Sequence, residues 1–145
     1  NGARSLAGAS ALLGLHGRLG CPVGFDADTA ELERILLLGA ASVEQSPRPR
    51  VAVVGAHAVH TDTWVSVGQE ADKESRRQAF DGYTVDESMM ALADPAAVFM
   101  HCLPAYRGLE VAASVIVGPQ SVVFQQGHNR LHAARAALAF LAGVR

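Results

Sequence analysis

The sequence has few of the residues that mark several common classes of protein. Its 145 residues include only two cysteines, Cys21 and Cys102, and these do not form a CxxC pair. This argues against a disulfide-stapled scaffold and favours a reducing, cytoplasmic setting. No apolar run approaches the roughly 20 residues of a membrane-spanning helix. The net charge of −2 at pH 7 provides no attraction to nucleic acid or to anionic membranes, so small molecules and protein surfaces are the expected partners.

What the sequence does contain is the composition of a folded domain. Apolar residues make up 50% of the chain and charged residues 18%, and the length is that of one ordinary domain. We therefore expect residues 1–145 to form a single domain. The chain begins at Asn1, on the edge of a predicted helix, so we expect it to be part of a longer polypeptide.

Short apolar segments alternate with amphipathic ones along the chain. Helices are predicted after the capping residues Asn1, Asp28 and Asp86, over residues 69–80 and from Asn129 onward. The segments predicted as strands are 18–23, 58–61, 96–101 and 121–124. Residues 51–54 have strand propensity but could equally form a short helix. The alternation predicts an α/β fold, a three-layer sandwich with a mostly parallel, Rossmann-like sheet.

Two polar loops follow predicted strands. The segment HTDTWVSVG covers residues 60–68, and HCLPAYRG covers residues 101–108. Ligands of open α/β sheets bind at the carboxyl ends of the strands. We therefore expect both loops to lie at the functional edge of the sheet.

Three motifs in these regions resemble a known family. TDTWVSVGQE at 61–70, MHCLPAYRG at 100–108 and NRLHA at 129–133 resemble the ornithine-binding half of the ornithine carbamoyltransferases. The resemblance implies one domain of a normally two-domain enzyme, which carbamoylates the side-chain amine of ornithine with carbamoyl phosphate and releases citrulline and phosphate. It also implies a homotrimer in arginine biosynthesis, with no cofactor and no metal.

The same resemblance assigns roles to individual residues. Cys102 would lie beside the reacting amine, and Arg130 would bind two oxygens of carbamoyl phosphate and stabilise growing charge. Asp62 would bind the α-ammonium group of ornithine, and Asn1 its α-carboxylate. The remaining substrate-binding candidates are Ser66, Val67, His101 and Leu103.

Each assignment has an ordinary structural alternative. A lone cysteine such as Cys102 is often a small buried hydrophobe, and Asp62 fits a turn before a tryptophan. Asn1 fits a helix cap. Arg130 fits a solvated position in the first turn of a helix, where the helix dipole mildly disfavours a cation.

The sequence also departs from the family pattern. Val67 stands where methionine is usual, and QQGH replaces an acidic segment at 125–128. The S-x-R-T and H-P-x-Q segments that hold carbamoyl phosphate do not occur in these residues, so we expect that binding domain in cis or in trans and no turnover by this chain alone. The alternatives are a non-catalytic binding or regulatory module of this fold and a carbamoyltransferase for another amine, such as putrescine.

Two other ligand classes find little support in the sequence. His128 and His132 are spaced four residues apart, but no acidic or cysteine ligand accompanies them, so no metal site is expected. The glycine-rich segment 14–20 lacks the GxGxxG pattern of a dinucleotide-binding turn.

Overall fold

The computed structural model describes residues 2–65, 68 and 70–144. Helices and strands alternate along these ranges. The helices are α1 (Gly2–Leu12), α2 (Thr29–Leu37), α3 (Pro49–Val53), α4 (Lys73–Ala79), α5 (Glu87–Met90), α6 (Ala113–Ile116) and α7 (Val123–Leu141). The strands are β1 (His16–Gly20), β2 (Ser42–Ser46), β3 (Ala58–Thr61) and β4 (Val98–His101). A 3-10 turn, Glu70–Asp72, precedes α4.

The described strands pair in parallel, β1 with β2 and β3 with β4. Val59 lies opposite Phe99, and Thr61 lies opposite His101. On the far side of β4, Ser121 forms a single parallel bridge to Phe99. The predicted α/β fold with parallel strands is confirmed. None of the helices in the described ranges is both long and apolar enough to cross a membrane.

Two predicted helix starts are confirmed by their caps. The carboxylate of Asp28 accepts a hydrogen bond from the Glu31 amide at 2.8 Å. The carboxylate of Asp86 accepts one from the Met89 amide at 2.7 Å. Each cap satisfies a backbone donor that the helix itself leaves unpaired.

Other elements differ from their predictions. Residues 121–124 were expected to form a strand, but only Ser121 bridges to the sheet and α7 begins at Val123. Val123 is fully buried, so tertiary packing overrides its strand propensity. Residues 51–53 form the end of the short helix α3, which Pro49 starts because proline suits a first helical turn. Strand β2 was not predicted, since most of its residues are polar.

The buried core surrounds β3 and β4. Its largest cluster combines the buried faces of both strands with residues of α3, α5, α6 and the start of α7. Phe99 and Val111 are fully buried there. This core fixes the two strands whose carboxyl ends carry the polar loops.

The position of Phe99 generates a stability prediction. Replacing Phe99 by alanine should lower the free energy of unfolding by about 3–5 kcal/mol, because it removes a fully buried aromatic ring and leaves a cavity. Urea unfolding followed by circular dichroism measures the loss. Phe124→Ala is the matched control, since that ring is 75% exposed and its removal should change stability little. Equal losses in the two variants would contradict the assignment of the core.

Candidate functional site

The two polar loops meet at the carboxyl ends of β3 and β4. Because Thr61 pairs with His101 in the parallel register, Asp62 and Cys102 leave the neighbouring strands at the same level. The Cys102 Sγ donates a hydrogen bond to Asp62 Oδ1 at 3.0 Å. The Thr63 amide donates to the same oxygen at 2.7 Å. The thiol and the carboxylate predicted from separate motifs are therefore in direct contact.

The guanidinium group of Arg130 joins this pair from α7. Its Nη1 donates to the backbone carbonyl of Cys102 at 2.9 Å. Arg130 was expected in the first turn of a helix, and that position is wrong because α7 already begins at Val123. Among the residues that the structure describes, no carboxylate forms an ion pair with Arg130. A thiol, a carboxylate and a guanidinium thus surround one small region.

His101 and Leu103 flank Cys102, but the histidine side chain points into the protein. It is 1% exposed. Its Nδ1 accepts a hydrogen bond from the Leu103 amide at 2.9 Å, and its Nε2 lies 3.3 Å from Glu110 Oε1. Both ring nitrogens are therefore engaged inside the protein. This geometry does not support the expectation that the His101 side chain contacts a substrate.

Glu110 is not among the residues that the motifs point to. It is fully buried, and its Oε1 also accepts a hydrogen bond from the Tyr106 amide at 2.6 Å. The sequence signal for a buried carboxylate here was one charged residue between Leu109 and Val111 in an otherwise apolar segment. Charged side chains are almost never fully buried unless they are paired.

The start of α1 approaches Asp62 from the other side. A Cβ built on Gly2 would lie 2.6 Å from Asp62 Oδ2, so a larger residue at this position would displace the carboxylate. This contact places the beginning of α1 against the site. Three predicted substrate-binding residues, Asn1, Ser66 and Val67, lie outside the described residues.

Aromatic packing holds the base of the Asp62 loop. The Trp64 ring stacks on Phe80 with their centroids 5.6 Å apart. Arg76 donates to the Trp64 carbonyl at 3.3 Å, and its guanidinium lies 5.1 Å from the centre of the Phe25 ring. These contacts anchor the segment that leads from Asp62 toward residues 66–68.

Burial and the hydrogen bond between Cys102 and Asp62 together set the protonation of the two groups. Burial raises the pKa of the Cys102 thiol, and the hydrogen bond to Asp62 and the negative charge of Asp62 raise it further, from 9.0 to about 11. Burial also tends to raise the pKa of Asp62, but hydrogen bonds from Cys102 and Thr63 outweigh it and lower that pKa below its ordinary value. At neutral pH the pair is therefore a protonated thiol and a carboxylate.

The histidines of α7 form a separate contact. The Nε2 atoms of His128 and His132 lie 3.0 Å apart on an exposed face of the helix. In the described part of the chain, no group of three or more histidine, cysteine, aspartate or glutamate side chains is arranged to hold a metal ion.

Cys102, Asp62 and Arg130 form a cluster whose chemistry suits a ligand that carries both a positive and a negative charge. The Asp62 carboxylate attracts an ammonium group, and the Arg130 guanidinium attracts an anionic or carbonyl oxygen. The protonated thiol lies beside the carboxylate, with sulfur lone pairs to accept a hydrogen bond.

Comparisons with known proteins agree with this arrangement. Residues 1–141 match the sequence profile of the aspartate/ornithine carbamoyltransferase Asp/Orn-binding domain. An ornithine carbamoyltransferase of Parasynechococcus marenigrum is 48% identical over 145 residues, which cover 99% of this chain and 46% of that protein.

Solved structures give the same result. The anabolic ornithine carbamoyltransferase of Campylobacter jejuni is similar with a TM-score of 0.89 and 31% identity, over 98% of this chain and 48% of that one. The ornithine carbamoyltransferase of Pyrococcus furiosus is similar with a TM-score of 0.84 and 40% identity, over 94% of this chain and 44% of that one. The chain spans about half the length of these relatives. It belongs to the aspartate/ornithine carbamoyltransferase family, as the domain that this family uses to bind aspartate or ornithine.

Proposed function

We propose that this chain is the ornithine-binding half of an ornithine carbamoyltransferase, which joins ornithine to the carbamoyl group of carbamoyl phosphate. The observation that carries the proposal is the contact between Cys102 Sγ and Asp62 Oδ1 at 3.0 Å, with Arg130 bound to the Cys102 carbonyl. In this proposal the carboxylate, the thiol and the guanidinium lie around the space that the amine and the carbonyl share. Family membership makes carbamoyl transfer the chemistry to which we assign them.

In this proposal Asp62 binds the α-ammonium group of ornithine. Its lowered pKa keeps the carboxylate charged at neutral pH, as an ammonium partner requires. Asn1 would bind the α-carboxylate, and Ser66 with the backbone at Val67 would complete the pocket. These three assignments rest on the family motif.

Cys102 would orient the reacting amine. A free alkylamine has a pKa of about 10, and only its neutral form can attack a carbonyl carbon. The thiol donates a hydrogen bond to Asp62, which increases the partial negative charge on the sulfur. The sulfur can then accept a hydrogen bond from the neutral amine. Because the thiol keeps its own proton at neutral pH, its contribution is to place the nitrogen rather than to act as a thiolate.

Arg130 and Leu103 would hold the carbamoyl group. The guanidinium uses Nη1 on the Cys102 carbonyl and has further N–H donors to bind ligand oxygens and stabilise charge on the carbonyl oxygen. The Leu103 carbonyl would accept from the carbamoyl amino group. The phosphate-binding half would come from another domain, in the same polypeptide or in a partner, and we extend the proposal to a cytoplasmic homotrimer in arginine biosynthesis.

An activity assay tests the proposed function. The chain joined to a carbamoyl-phosphate-binding domain should form citrulline from ornithine and carbamoyl phosphate, whereas the chain alone should form none. Cys102→Ala should lower kcat/KM roughly 10²-fold, because the amine loses its orienting contact.

The control for this substitution is Cys21→Ala, which removes the other cysteine, the residue that follows β1. It should leave kcat/KM unchanged. Unaltered turnover in Cys102→Ala, or faster carbamoylation of putrescine than of ornithine, would contradict the proposal.

The pH dependence of thiol reactivity tests the electrostatics of the pair. Only the thiolate reacts with iodoacetamide, so in a Cys21→Ala background the alkylation rate should rise with a midpoint near pH 11. Asp62→Asn removes a negative charge that destabilises the thiolate, so the pKa of Cys102 should fall toward 9.0. Alkylation at pH 8 should then be faster, by about tenfold for each pH unit by which the midpoint falls.

Asp72→Asn serves as the matched control, since Asp72 lies in the 3-10 turn outside the cluster and should leave the midpoint in place. A midpoint near pH 9 in the chain that retains Asp62 would show that the thiol does not contact the carboxylate.

A further inference from the structure

A buried carboxylate lies beneath the Cys102 loop, and the proposed reaction does not use it. Glu110 is 0% exposed. Its Oε1 accepts from the Tyr106 amide and lies 3.3 Å from His101 Nε2. Its Oε2 is buried with no hydrogen-bond partner in the described part of the chain. A carboxyl group in such surroundings is costly, so its presence calls for a role.

The contacts of His101 specify which ring nitrogen carries the proton. The Leu103 amide donates to Nδ1 at 2.9 Å, so Nδ1 must offer a lone pair. The proton of the neutral ring is then on Nε2, which donates to Glu110 Oε1. The carboxylate therefore selects the tautomer that can accept from Leu103.

Leu103 needs this support because its backbone is strained. Its φ is +55°, in the left-handed region that residues with a Cβ seldom adopt. The amide of Leu103 is the group that His101 binds. Cys102, immediately before it, directs its thiol to Asp62 and its carbonyl to Arg130.

We propose that Glu110 is a positioning residue: through the His101 ring it holds the Leu103 amide, and thereby keeps the Cys102 thiol and carbonyl on Asp62 and Arg130. That the position of the Cys102 thiol and carbonyl matters for catalysis rests on the proposed function. The chain of hydrogen bonds from Glu110 through His101 to Leu103 rests on the geometry alone. The positioning role and the proposed function can therefore fail separately.

NMR of the unsubstituted chain tests the first link. With ¹⁵N-labelled histidine, the ring of His101 should show a protonated Nε2 and an unprotonated Nδ1 that accepts a hydrogen bond. Its signals are assigned among the six histidines by through-bond correlation to the sequentially assigned backbone of His101. A protonated Nδ1 would overturn the proposal, and this result does not depend on any variant folding.

Two substitutions of His101 separate positioning from packing. The short amide of asparagine can present an oxygen near the place of Nδ1 and keep the acceptor for Leu103. The longer glutamine can reach Glu110 but offers Leu103 no acceptor. In a Cys21→Ala background, His101→Asn should leave the alkylation midpoint of Cys102 near its original pH. His101→Gln should lower the midpoint toward 9.0 and speed alkylation at pH 8, about tenfold for each pH unit by which the midpoint falls.

Glu110→Leu should act as His101→Gln does, because it removes the acceptor that selects the tautomer while keeping a side chain of similar size. Equal midpoints in His101→Asn and His101→Gln, each folded by circular dichroism, would show that the histidine only fills space and would overturn the proposal. None of these measurements uses ornithine, so absence of citrulline formation would count against the proposed function and leave the positioning role intact.

Discussion

The parallel register of β3 and β4 is the constraint on which the site depends. Thr61 lies opposite His101, and this alone brings Asp62 and Cys102 out of the sheet side by side. A slip of one residue would turn the side chains of one strand to the opposite face and separate the thiol from the carboxylate. Burial of Val59 and Phe99 opposes such a slip, because the buried residue of the strand that shifts would turn away from the core. The hydrophobic core thus sets the geometry of the polar groups at the ends of the two strands.

The second constraint is electrostatic. Cys102 and Asp62 compete for one proton, and the structure gives it to sulfur, since the pKa of the thiol is raised while that of the carboxylate is lowered. Arg130 donates its hydrogen bond to the backbone carbonyl of Cys102 rather than to the thiol or to the Asp62 carboxylate. The carboxylate is therefore anionic, as a cationic ligand would require, and the guanidinium is bound to the same loop without an ion pair among the described residues. Both features suit a substrate with an ammonium group at one end and a reacting carbonyl nearby.

Much of this arrangement could be predicted from the sequence because it follows from local rules. Asp28 and Asp86 are followed by helical patterns and cap those helices. The meeting of Asp62 with Cys102 follows from one topological rule, that parallel strands end at the same edge. Neither prediction needs knowledge of long-range packing.

The features that escaped prediction depend on tertiary contacts. Val123 has strand propensity but is fully buried at the start of α7. The helix therefore begins six residues before the predicted start at Asn129. The polar strand β2 forms because β1 offers it a hydrogen-bonding edge. The role of Glu110 requires the fold to bring its carboxylate to His101, nine positions earlier in the chain. No local sequence pattern indicates that these two side chains come into contact.

We propose that an amine substrate binds beside the contact between the Cys102 sulfur and the Asp62 carboxylate. A crystal structure with bound L-ornithine, in the presence of the carbamoyl-phosphate-binding domain, tests it most directly. The account predicts the α-ammonium within hydrogen-bond distance of Asp62 and the side-chain nitrogen within about 3.5 Å of Cys102 Sγ. Ornithine bound at another edge of the sheet, with these two side chains apart from it, would contradict the account.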